Sequence, residues 1–286
     1  MFAEFKHTIG RMRGAIIGWG IGLALYGWML TAFYDTMAQA EGLQELLSSY
    51  PKEMMAFLGD VTALNTPAGY VDTYYSVYMS LIIGIFAIGT GASLLVGDEE
   101  RGILDLVLAH PLSRTALFWG RVLGFAVVTA EILLIAWLGW AIPARNTTMG
   151  LSWIQYLQPF LPLFAVLFWF AMLALLLSMV LPSAGMAGML SGALLVANFL
   201  LVGLVRINPD LETFVKWTPL RFYQGGYAVH GIHWTWLAAL LVPAVLFAVL
   251  AALFFQRREI RVGGEHGWRV PTVRLPWRRA KAGTGA

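Results

Sequence analysis

DEERGILDLVLAHPLSR, residues 98–114, stands between two long apolar stretches. Three carboxylates in a row, an Arg-Gly pair and a proline break the hydrophobic pattern, and the apolar runs on either side are each long enough to be a separate helix. Read by itself, Asp98 is a helix N-cap, Glu99 and Glu100 suit the positive end of the helix dipole, and Pro111 stops the helix. Within it Ile103, Leu104, Val107 and Leu108 fall on one apolar face. A short helix projecting from a larger body has little reason to carry such a face unless it packs, either back on its own chain or on another one.

The flanking stretches supply the larger body. Of 286 residues 59% are hydrophobic and 12% charged, which is half the charge of an ordinary soluble domain. About 20 apolar residues cross a bilayer, and six such runs are found at 14–34, 74–96, 116–141, 153–181, 184–205 and 235–256. The expected fold is therefore all-α: a polytopic membrane protein of six transmembrane helices in residues 1–256, followed by a basic tail, 257–286. Pro159 and Pro162 predict a kink or late start in the fourth run, and Pro182-Ser183 divides the fourth from the fifth. The small-x-small triplet Ala38-Gln39-Ala40 has the look of a signal-peptide cleavage site. The apolar run before it, however, exceeds the ~7–15 residues of a signal core, so it is read as a retained span.

Orientation follows from Lys and Arg beside the spans. With the amino terminus inside, one side holds Lys6, Arg11, Arg13, Arg101, Arg114, Arg121 and the tail from Arg257 to Lys281. The other holds only Lys52, Arg145, Arg206, Lys216 and Arg221. This bias predicts that both termini and segment 98–114 are cytoplasmic. Trp268 and Trp277 among the tail arginines read as an anchor on anionic lipid, with nucleic acid an unsuitable partner for a polytopic chain. Phe2, Phe5, Ile9 and Met12, spaced by three and four, predict a short amphipathic N-terminal helix at the membrane interface. The outer loop from Asp35 to Thr73, with six acidic residues against Lys52, predicts two surface helices around Leu43–Tyr50 and Met54–Leu58.

Few residues offer chemistry. Without cysteine there is no disulfide, thiolate metal site or cysteine nucleophile. His110, His230 and His233 read as interface or loop histidines, and no metal site is expected. No spacing indicates catalysis. Glu131 lies ten residues past Arg121, about 15 Å deep at 1.5 Å per residue in a core of about 30 Å. A carboxylate there must face protein or water, as a structural partner of a neighbouring helix or as part of a pathway or gate. Gly10, Gly14, Gly18 and Gly22 form a small-residue face for close helix contact, as do Gly188 and Gly192, read as packing within the chain with a dimer seam as the alternative.

An acidic pair, Arg-Gly, a leucine run and Pro-x-Ser-Arg, as in EERGILDLVLAHPLSR, resemble the membrane subunits of ABC-2-type exporters, with Ile103 where Thr is common. YPKEMMAFLG (50–59) is similar to that family's outer loop before the second span. KWTPLRFYQGG (216–226) is similar to its segment before the last span, with Thr218 where Ser is common. The resemblance implies a permease working as a dimer with a second copy or a paralogue, in a prokaryotic plasma membrane. It also implies that Glu99, Glu100, Arg101, Gly102, Ile103, Leu104, Val107, Leu108, Pro111, Ser113 and Arg114 form a coupling helix docked on a separate ATP-binding-cassette subunit. The chain has no G-x-x-x-x-G-K-[ST] phosphate loop. ATP and magnesium accordingly belong to that partner, and no cofactor is expected on this chain. The alternatives are a polytopic membrane enzyme or a proton-coupled carrier using Glu131.

Overall fold

The computed structural model describes residues 1–40, 49, 51, 55, 57, 58, 63–104, 107 and 112–258. It is helical, with no strand among the described residues. Six helices are long and apolar enough to cross a membrane: Arg13–Ala38, Pro67–Ser93, Arg114–Ala144, Trp153–Val180, Ala184–Val205 and Trp234–Arg257, called here the first to sixth spans. The surface helices expected around 43–58 fall largely outside the described residues, as does the tail beyond residue 258.

Local chemistry sets the helix ends. Thr66 caps the second span by accepting from the Gly69 N–H at 3.2 Å, with Pro67 in the first turn. This pair starts the helix seven residues before the apolar run from 74 does, and the added turn is followed by a π-helical stretch, Asp72–Ser76. Ser152 and Gln155 form a reciprocal capping box at the start of the fourth span. That span breaks after Leu157 and resumes at Phe160, as the prolines predict. Ser183 caps the fifth span after an extended Leu181.

The fourth span is central, packing on the second, fifth and sixth, while the first lies along the third. Two crossings are set by glycine. A Cβ on Gly139 would strike the Ala24 backbone, and one on Gly91 the Ala171 backbone. Gly20 and Gly27 receive Ile135 and Trp140 of the third span. The regular stripe behaves otherwise: around Gly10, Gly14, Gly18 and Gly22 an added Cβ would meet nothing within 4 Å. Among the described residues nothing packs on these four, contrary to the reading within the chain; in the first span it is Gly20 and Gly27 that face the third.

The N-terminal helix forms as read, at Phe2–Arg11. It leads into the first span through Met12 and packs on the start of the third. Gly120 closes on Glu4 and Met1, and Gly124 on Thr8 and Phe5. Glu4 and Thr8 are therefore buried and Phe2 points outward. The two glycines allow a backbone approach that an alternation of apolar residues does not reveal.

Candidate coupling site at the Asp98 end of the bundle

Asp98, Glu99 and Glu100 close a short helix, Val96–Glu100, that continues from the second span. Gly102, at φ +67°, ends it. The Gly102 N–H donates to the Glu99 carbonyl at 3.0 Å, and the Ile103 N–H to the Asp98 carbonyl at 2.9 Å. This is the paired reverse bonding of a glycine-terminated helix. The acidic triplet thus occupies the last turn of one helix and not the first turn of the next, as Asp98 read as an N-cap had implied. A helix C-terminus disfavours carboxylates, so their charge is balanced by contacts elsewhere.

Each carboxylate meets a different part of the bundle. Asp98 accepts from Arg121 of the third span at 2.6 Å and from Arg11 of the N-terminal helix at 3.0 Å. Arg121 is 1% exposed and also donates to the Leu94 carbonyl at 2.8 Å, with Glu4 at 3.7 Å. Glu99, buried, lies 3.4 Å from Arg258 just past the sixth span. Arg258 in turn donates to the Ser178 and Met179 carbonyls at the end of the fourth span. Glu100 accepts from the Ala184 N–H at 2.8 Å, the first helical residue of the fifth span.

The next residues extend this pattern. Ser113 caps the third span through the Ala116 N–H at 3.2 Å. Arg114 donates to the Phe255, Gln256 and Arg258 carbonyls, satisfying acceptors that a helix end leaves open. The Ser-Arg pair therefore starts one span and closes another. Leu104 is 1% exposed, part of the chain's own core, with Val107 packed against that core. Leu104 thus packs back on its own bundle, one of the two alternatives open for this face, whereas Arg101 and Ile103 are exposed at the turn. Leu108 and Pro111 lie outside the described residues.

Arg11, Arg121 and Arg258 were legible only as flank charge. A stronger signal was available for Arg121, which stands seven residues inside a span, where an arginine requires a partner. Glu131 is half-buried in mid-span and has no hydrogen bond or ion pair among the described residues. The arrangement brings it to none of the coupling residues. Among the described residues no group of three His, Asp or Glu could hold a metal.

A comparison with curated proteins returned no match. A family model does match: that of the ABC-2 family transporter protein, over residues 11–260. It takes in all six spans and the ion pairs of Asp98 and Glu99, and the chain belongs to this family as a membrane permease of an ABC transporter, a transport subunit.

Proposed function

We propose that segment 98–114 receives the stroke of an ATP-binding-cassette subunit and passes it to the spans of an exporter built from two permease chains. The site lies on the cytoplasmic face of a prokaryotic plasma membrane, with both termini on that side, as the Lys and Arg distribution favours. The observation that carries this reading is the division of the triplet: three consecutive carboxylates hold the third, sixth and fifth spans respectively. A push on the exposed turn at Arg101–Ile103 moves all three attachments at once. ATP and magnesium act on the partner, and this chain supplies surface and leverage. Glu131, half-buried in mid-span, is the residue proposed to face the pathway or gate.

The test is Ile103→Asp, with the permease co-expressed with its ATP-binding subunit. Ile103 is 42% exposed, so a carboxylate there leaves the bundle intact and disrupts a docked surface. The expected result is loss of co-purification and of permease-dependent ATP hydrolysis at an unchanged unfolding temperature. Normal co-purification and hydrolysis would remove this turn from the coupling surface.

A further inference from the structure

The second span is irregular at the end away from Asp98. Asp72–Ser76 forms a π-helical turn before the regular helix Val77–Ser93, and the Val77 N–H donates to the Asp72 carbonyl, five residues back. Such turns are rare and frequently lie at functional sites. Composition gives this one no firm preference, because Asp, Thr, Tyr and Ser all rank below Ala, Leu and Met as helix formers. Bonds from other elements hold it. The Tyr26 hydroxyl of the first span donates to the Tyr74 carbonyl at 2.7 Å, and the Tyr223 hydroxyl to the Ser76 carbonyl at 3.0 Å. Tyr223 belongs to the segment between the fifth and sixth spans, which folds back through Pro209–Leu211, Glu212–Val215, Pro219–Phe222 and Gly225–His230. This fold-back sits on the start of the second span. The Gly226 N–H donates to Asp72 at 2.9 Å, and a Cβ on Gly226 would strike the Asp72 and Ala68 backbones.

Four polar groups at this turn are bound by nothing. Thr73 Oγ1, the Tyr75 hydroxyl, Ser76 Oγ and Trp140 Nε1 have no hydrogen-bond partner among the described residues, and none of these residues is more than 6% exposed. Three belong to the π-turn itself. The fourth belongs to the ring of the third span that meets Tyr75 edge to face, with centroids 5.2 Å apart. Buried polar groups are normally paired, and leaving one unpaired is costly. The neighbouring tyrosines follow that rule: Tyr70 donates to the Leu30 carbonyl at 2.7 Å, beside the two bonds of Tyr26 and Tyr223. Tyr75, between them, does not.

We propose that Asp72–Ser76 is a two-register switch. Tyr26 and Tyr223 latch it as a π-turn, and their release returns it to α-helix, where the unpaired hydroxyls gain partners. The extra residue then passes back toward Thr66. One residue of α-helix is about 100° of rotation and about 1.5 Å of rise, so residues 65–71 turn by that amount against the rest of the span. The fold-back seated on Ala68 and Asp72 turns with them, as a lid does. A packed element with two discrete arrangements is what a conformational change requires. The same span carries Asp98–Glu100 at its other end, so under the coupling reading a stroke received there ends in this turn. The switch itself needs only the permease and is tested without a partner, so either reading can fail alone.

The chain has no cysteine, so spin labels at Asn65→Cys and Asn146→Cys, both exposed at this end of the bundle, report the turn as a distance in lipid nanodiscs. Three further substitutions each delete a single oxygen. Tyr26→Phe and Tyr223→Phe remove a latch, and each should raise a second distance population about 5-fold over the permease with both tyrosines, the ordinary worth of one neutral hydrogen bond. Tyr75→Phe removes a group that has a partner only in the second form. Added to Tyr223→Phe, it should lower that population again by a similar factor without lowering the unfolding temperature. Should a variant fail to fold, hydrogen exchange on the unaltered permease decides: the amides of residues 72–80 should open together and faster than those of residues 83–93 in the same helix. A single distance in both latch variants, no fall on adding Tyr75→Phe, or equal protection along the helix overturns the proposal.

Discussion

Arg121 and Asp98 carry a larger burden than their neighbours, because both are removed from solvent. Arg121 is 1% exposed and Asp98 5%, and a buried charge that loses its partner costs about 3–5 kcal/mol. Asp98→Ala leaves Arg121 with the Leu94 carbonyl and the more distant Glu4. The purified permease is expected to lose about that much stability, seen as a lowered unfolding temperature. Asp98→Ala with Arg121→Met removes both charges and should recover a substantial part of the loss. A double variant as unstable as the single one would show that the ion pair is not the source. The presence of Asp98 in a conspicuous motif was legible in the chain, but its partners were not. They lie 87 residues before it and 23 after it, and no local periodicity connects positions so far apart. Glu131 is the reverse case, legible as an intramembrane carboxylate while the fold supplies it with no described partner.

Helices were the easiest features to read and their facing directions the hardest. All six spans are visible as apolar runs, because a bilayer imposes length and hydropathy. Direction is lost for the same reason: a helix apolar all round has no polar face to mark its exterior. The stripe Gly10–Gly22 therefore looked like a contact and meets nothing among the described residues, while Gly139 and Gly91, without such a pattern, are where backbones touch. The segment 98–114 was misread similarly. Its leucines have helical spacing, but the positive φ of Gly102 divides it after Glu100 and turns Leu104 inward. Leu104→Ala should consequently destabilise the isolated permease by about 2–5 kcal/mol, the usual range for a truncated core leucine. The check is thermal unfolding of the permease without its partner. An unchanged unfolding temperature would return Leu104 to an exterior surface.

For the chain as a whole, family and membrane character could be read from local motifs and composition, whereas the carboxylate–arginine contacts and the fold-back between the fifth and sixth spans required the assembled bundle. Both are made by residues brought together from distant positions: Arg258 with Glu99, and Asp72 with Gly226. Arg258 also has a consequence for biosynthesis. It is made after every span, yet it holds Glu99 and the Ser178 and Met179 carbonyls at the end of the fourth. The bundle therefore cannot be sealed before residue 258 has been made, and the nascent permease keeps an open seam until its sixth span has entered the bilayer. A stop codon after Gln256 should leave that seam open, giving a protein quickly cleared by membrane proteases. A stop after Glu259 should accumulate normally, and pulse-chase labelling of the two truncations distinguishes them. Equal lifetimes would mean that the seam closes without Arg258.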